Sequence, residues 1–183
     1  MIKIETGCET IFKYDNVLDC KTCTQLYDYI MSLNPSLGYD NNIMPWFENN
    51  TFNWNDILDL DLRKKIEEYR EIINKLVNET YNKIYQLEFT DIVLWNENKS
   101  MPLHKDNGYN EFSNLKLRKI TTVTYINDDF IGGETFIKNE TGKDYISKPK
   151  TGSIVMLLSD ETNSHGVNKI LCGKRLTLPM WFK

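Results

Sequence analysis

Alanine is absent from all 183 residues, and no apolar run approaches the length of a membrane span. The first absence, with the abundance of Asn, Ile and Lys, points to an AT-rich coding genome, a virus's among them, and says nothing about chemistry. The second excludes a transmembrane helix. The opening stretch, 1–12, carries Glu5 and Glu9 and lacks the long apolar core of a signal peptide, so a cytoplasmic protein with no membrane partner is the expectation. Basic charge is also in short supply, with 22 Lys and Arg against 26 Asp and Glu and a formal net charge of −4. Nucleic-acid binders neutralise phosphates with a basic patch, so a polyanion is a disfavoured partner. Only four cysteines occur, Cys8, Cys20, Cys23 and Cys172, which read as reduced thiols in a chain without a secretion signal. Cys20 and Cys23 have CxxC spacing but no second such pair, and a structural role at the start of a helix is expected.

What is present fits one domain, 1–183, with enough apolar residues for a sizeable core. Alternation over 10–17 suggests a strand. Asp19 is then placed to cap a helix over 20–33, with Leu26, Tyr29, Ile30 and Leu33 on one face. The stretch 34–55 contains Pro35, Gly38, Pro45 and the aromatics Trp46, Phe47, Phe52 and Trp54, and reads as a long loop, either a lid or a segment packed over the core. A strong helix is expected over 56–86, because Leu62, Ile66, Tyr69, Ile73, Leu76 and Ile84 recur at three- and four-residue steps. Beyond it the pattern changes to short strands at 88–95, 119–126, 134–137, 153–158 and 175–182, separated by turn residues such as Gly132-Gly133. Helices before and strands after predict an α+β domain with a jelly-roll core and amino-terminal supporting helices.

Histidine occurs twice, and both copies sit in unusual contexts. In Pro102-Leu103-His104-Lys105-Asp106 an extended backbone would turn His104 and Asp106 to the same side. His165 follows a predicted core strand. Two imidazoles and one carboxylate on one face of a metal form the facial triad of non-haem iron(II) oxygenases, which leaves positions for a bidentate co-substrate and dioxygen. An HxD triplet alone is common, either histidine could be a surface residue, and His104 taken singly is more often that than a metal ligand. The last strand adds weight. Arg175 and Thr177 alternate on it, so they face one way while Leu176 and Leu178 face the other. A guanidinium aimed into a barrel is an unpaired buried charge unless an anion meets it, and a dicarboxylate would do so through paired hydrogen bonds.

The run from His104 to Trp181 resembles the catalytic core of prolyl 4-hydroxylase-like 2-oxoglutarate oxygenases. The matching elements are the HxD pair, Tyr125-Ile126-Asn127, Gly132-Gly133-Glu134-Thr135, Lys148-Pro149-Lys150-Thr151-Gly152, His165-Gly166-Val167 and Gly173-Lys174-Arg175, in order and at family-like spacing. Weaker similarity extends forward to 15–20, and Trp95 stands where the family has an aromatic residue. The resemblance implies a double-stranded β-helix (jelly-roll) fold, Fe(II) held by His104, Asp106 and His165, and 2-oxoglutarate and dioxygen as co-substrates. It implies that Arg175 anchors the distal carboxylate of 2-oxoglutarate, that Tyr125 donates its hydroxyl there with Thr177 as a secondary donor, and that Trp181 lines the cavity. A dioxygenase that hydroxylates a C–H bond with release of succinate and CO2 follows.

Halogenases of this superfamily usually replace the carboxylate with a small residue, so Asp106 favours hydroxylation. The nucleic-acid demethylases carry a second arginine where this chain has Trp181. Peptidyl proline is the expected acceptor, in a peptide or protein partner, with a free amino acid next. Trp46, Phe47, Trp54 and Trp95 read as packing residues ahead of peptide contacts. Two rivals from other classes are a non-catalytic metal-binding jelly roll and a hydrolase using metal-bound water. The hydrolase gives Arg175 and Tyr125 no joint role.

Overall fold

The fold is that of a computed structural model, which describes residues 1–33, 39–40, 50–107, 115–140, 142–159 and 162–183. Its strands are β1 (Ile2–Ile4), β2 (Ile11–Asp15), β3 (Tyr39–Asp40), β4 (Asn50–Asn53), β5 (Leu87–Trp95), β6 (Met101–His104), β7 (Ile120–Tyr125), β8 (Ile131–Gly132), β9 (Thr135–Asn139), β10 (Tyr145–Ser147), β11 (Ile154–Leu158), β12 (Asn163–Val167), β13 (Ile170–Cys172) and β14 (Arg175–Phe182). Two helices, α1 (Cys20–Ser32) and α2 (Leu60–Tyr81), accompany them. Eight strands form a large sheet in the order β1-β2-β11-β7-β14-β5-β4-β3, and four form a smaller one, β10-β9-β12-β6. This is an α+β jelly roll of the expected kind.

Both helices lie against the outer face of the large sheet, for a reason written in their apolar spacing. Asp19 accepts from the Thr22 N–H and caps α1, as its position predicts, and Leu26 and Ile30 are buried. Asp59 caps α2 by accepting from the Leu62 N–H, and Leu62, Ile66, Tyr69, Ile73, Leu76 and Val77 form its buried stripe. That stripe joins one core with Ile92, Leu94, Ile120, Ile154, Met156, Leu176, Leu178, Met180 and Phe182 from the sheet. A hydrogen bond of 2.8 Å between the Tyr69 and Thr124 hydroxyls ties α2 to β7. No helix among the described residues is long and apolar enough to cross a membrane.

The second helix is shorter than the expected 56–86. Residues Trp54–Asp56 make a separate 3-10 turn, and Asn82, at φ 50°, ends α2 in the left-handed conformation. Ile84 therefore lies beyond the helix and is 86% exposed, contrary to its expected place on the buried face. The loop expected over 34–55 is also corrected in part. Its described residues include β3 and β4, which extend the large sheet beside β5, and Phe52 is buried while the Arg70 guanidinium sits 3.9 Å over the Trp54 ring. Strands of two to four residues carry too few positions for alternation to register. Trp46, Phe47 and the rest of the lid question lie outside the described residues.

Candidate metal and anion site

The inner face of the large sheet is set by strand parity. Along β14 the inward residues are Arg175, Thr177, Pro179 and Trp181, and register places Thr177 opposite Val93 and Tyr125 and Trp181 opposite Phe89 and Thr121. The smaller sheet closes over this wall. In β12 and β6, His165 and His104 are direct partners, so two residues 61 positions apart meet because two antiparallel strands share a register. Their rings stand 4.3 Å apart, centroid to centroid.

Asp106, just past the end of β6, completes the group. Its Oδ1 lies 3.5 Å from His104 Nε2 and its Oδ2 3.6 Å from His165 Nε2. Ligand atoms of all three residues lie within 4.8 Å of one another. Neighbouring donors at about 2.1 Å from one first-row divalent ion stand about 3 Å apart, and the two Asp106 contacts, at 3.5 and 3.6 Å, are near that spacing. Orientation is held from outside. The His104 Nδ1 is 3.1 Å from the Pro102 carbonyl, which can only accept, and this leaves Nε2 facing Asp106. The Thr121 hydroxyl donates to Asp106 Oδ2 at 2.5 Å and is itself hydrogen-bonded to Ser159.

Electrostatics agree with a cation site. Burial opposes ionisation of Asp106, but its interactions with His165 and His104 and the Thr121 hydrogen bond outweigh it and hold the carboxyl below its ordinary range. Burial likewise pulls His165 down to about 4, with Asp106 opposing and His104 adding, so its imidazole is neutral at physiological pH. At His104 burial also acts downward, but the Asp106 carboxylate and the Pro102 carbonyl prevail and the shift is upward.

Deeper along the wall the chemistry changes sign. Arg175 is 1% exposed, and among the described residues its Nη1 and Nη2 bond hydroxyls, Thr177 at 3.3 Å and Thr135 at 3.1 Å. Its Nε is buried without a hydrogen-bond partner among the described residues. The guanidinium lies 5.6 Å from the Trp95 ring centre and 5.4 Å from that of Tyr125. Burial lowers its pKa from the ordinary value, yet arginine stays charged in proteins, so the pocket holds a cation that no carboxylate pairs among the described residues. The single Tyr125 hydroxyl proton is shared between Thr135 Oγ1 at 2.7 Å and the Ser147 carbonyl at 3.1 Å. At Gly133 (φ +68°) an added Cβ would meet Arg175 Cδ at 3.1 Å and Phe130 at 2.9 Å, so the Gly132-Gly133 turn lets the guanidinium stem pass.

All six residues expected from sequence, His104, Asp106, His165, Tyr125, Arg175 and Thr177, thus face one interior. The structure adds Thr121, which holds Asp106, and Thr135, which links Tyr125 to Arg175. Thr135 stood in the Gly-Gly-Glu-Thr motif without an assigned part, and Thr121 had no local signal at all.

Residues 89–183 match the family model described as the 2OG-Fe(II) oxygenase superfamily. Prolyl 3-hydroxylase 2 of Homo sapiens is 32% identical over 94 residues, which cover 45% of this chain and 13% of that protein. A prolyl hydroxylase of Trichoplax adhaerens, solved with a hypoxia inducible factor peptide fragment, superposes with a TM-score of 0.76 at 15% identity, covering 96% of this chain and 84% of that one. A prolyl-4-hydroxylase of Pseudomonas putida gives 0.67 at 16% identity, covering 97% and 94%.

Proposed function

This chain belongs to the 2OG-Fe(II) oxygenase superfamily, and on that premise we propose that it hydroxylates a prolyl C–H bond in a peptide or protein substrate. The reading rests on one observation: three clustered donors that could hold an ion and, deeper on the same wall, a buried guanidinium with no carboxylate partner among the described residues. An iron centre needs the first, and a dicarboxylate co-substrate needs the second. The names of the relatives support the acceptor, since the human protein is a prolyl 3-hydroxylase and both structural neighbours are prolyl hydroxylases.

In this reading His104, Asp106 and His165 would hold Fe(II). With dioxygen and 2-oxoglutarate bound, the iron would supply the oxidation that places one oxygen atom on the substrate carbon and the other in succinate, with loss of CO2. Arg175 would grip the distal carboxylate of 2-oxoglutarate, helped by Tyr125, Thr177 and Thr135. Thr121 would keep the Asp106 carboxylate turned to the ion, and the Pro102 carbonyl would keep the His104 Nδ1 protonated and its Nε2 available. The buried walls around Arg175 would exclude water from the oxidising centre, which limits side reactions.

The test is succinate release with proline-containing peptides, free amino acids and oligonucleotides, read by mass spectrometry for a gain of one oxygen. Asp106→Ala and His165→Ala should abolish iron-dependent succinate formation, and Arg175→Ala should chiefly raise the 2-oxoglutarate requirement. Turnover surviving in either of the first two variants would overturn the assignment. Anaerobic Fe(II) with 2-oxoglutarate should give a weak visible charge-transfer band in the wild type and lose it in Asp106→Ala.

A further inference from the structure

The inner wall changes character along β5. Its inward residues run from Trp95 and Val93, 4% and 3% exposed, through the partly buried Asp91 to Phe89, 40% exposed. Beside it β14 runs from the buried Arg175 and Thr177 to the partly exposed Trp181. The wall therefore opens to solvent where the Phe89 and Trp181 rings stack, 6.1 Å between centroids and 29° between planes. The same row leads to the ion-binding group, because Trp181 pairs with Thr121, which bonds Asp106.

Asp91 is an uncommon residue for this place. Aspartate is depleted in strands, and an inward carboxylate is costly unless it is paired. Among the described residues it has neither a hydrogen bond nor an ion pair. Arg118, the cation whose charge reaches it, is engaged elsewhere: its Nε donates to Glu88 Oε2 at 2.8 Å, and its guanidinium lies 4.7 Å from the Trp181 ring centre. Burial consequently prevails over Arg118 and pushes the Asp91 carboxyl up to about 7. On the adjacent strand Trp181 Nε1 is buried with no hydrogen-bond partner among the described residues. Among the described residues, an acceptor and a donor thus stand unused on neighbouring strands, beside the solvent-open stack.

We propose that Asp91 is the specificity-determining carboxylate of the acceptor site and receives the cationic side chain of a lysine or arginine beside the hydroxylated residue of a peptide. This assignment rests on the peptide-hydroxylase reading above. A cation, more than a neutral donor, compensates an ionised carboxylate at this depth. The exposed aromatic stack accepts the stem and head of such a side chain, and the net charge of −4 attracts basic peptides at longer range. Trp181 Nε1 is left to donate to a peptide carbonyl of the same segment.

The experiment uses three proline peptides that differ only in the residue next to proline: lysine, norleucine or glutamate. The wild type should use the lysine peptide about tenfold or more better than the norleucine one, in KM more than kcat, and the glutamate peptide worst. Asp91→Asn should bring the lysine and norleucine peptides within about twofold, and Asp91→Lys should favour glutamate. Fluorescence anisotropy of the labelled peptides on metal-free protein should give the same order, with thermal melts verifying that each variant is folded. Should Asp91→Lys not fold, the asparagine variant decides. Equal use of the three peptides by the wild type, or a lysine preference that survives in Asp91→Asn, would overturn the assignment. Binding without turnover of any peptide would instead overturn the hydroxylase reading, and the binding order would still decide Asp91. Binding that is absent or blind to charge, or Asp91-dependent turnover confined to free amino acids, would overturn it.

Discussion

The Thr135 hydroxyl accepts from Tyr125 at 2.7 Å and from Arg175 at 3.1 Å. With both lone pairs engaged, its own proton is free for an anion lodged beside Arg175. Thr135→Val keeps the shape and removes that donor, and Tyr125 retains the Ser147 carbonyl. The 2-oxoglutarate concentration for half-maximal succinate release should rise about tenfold, as for a hydrogen bond to a charged group. Asp91 carries a second residue-scale consequence, in stability. Its folded-state pKa, about 7, lies above the ordinary value of 3.8, so the folded protein holds this proton more tightly than the unfolded chain. The group therefore leaves stability intact below about pH 4, erodes it as pH rises towards 7, and has no further effect above that. Asp91→Asn should flatten that part of the stability curve and raise the denaturation midpoint at pH 8 relative to wild type. A wild-type slope retained in the variant would assign it to another group.

At the scale of elements, α2 separates packing from pattern. Ile66 is fully buried against the outer face of the large sheet, and Ile84, once counted in the same periodic series, lies past the helix end and is 86% exposed. Ile66→Ala should cost about 2–5 kcal/mol in a denaturant titration, and Ile84→Ala should stay within about 0.5 kcal/mol of wild type. The longer elements were legible because each repeats its period several times: α1 with its Asp19 cap, α2, and the strands β5, β7, β11 and β14. The short strands β1, β3, β4 and β10 were not, since two to four residues cannot show alternation, and hydrogen bonding to a neighbour decides their state. His165 was expected after a strand and is found inside β12, whose Ser164-His165-Gly166 sequence has little strand character and pairs because β9 and β6 flank it.

At the scale of the whole molecule, the two sheets are joined across the interior by the site itself: Tyr125 and Arg175 bond Thr135, and Asp106 bridges the histidines to Thr121. Ligands that complete this contact should stabilise the fold. Mn(II) with 2-oxoglutarate, each at about 100 times its Kd, should add about 2.7 kcal/mol for each site filled, or roughly 5–10 °C in Tm for a chain of this size. Arg175→Ala should keep the metal's share of the shift and lose that of 2-oxoglutarate, and an unchanged double shift would place the co-substrate elsewhere. The chain by itself determined the helical front, the strand-rich back, the only two imidazoles and the ordered motifs between His104 and Arg175, because residue type and local period are properties of neighbours in sequence. Only the tertiary structure decided that His104 and His165 face each other, that Thr121 and Thr135 hold Asp106 and Arg175, and that Asp91 turns inward on β5 with no partner among the described residues. Those facts depend on strand register and on one sheet closing over another, and register is set by pairing between segments far apart in the chain.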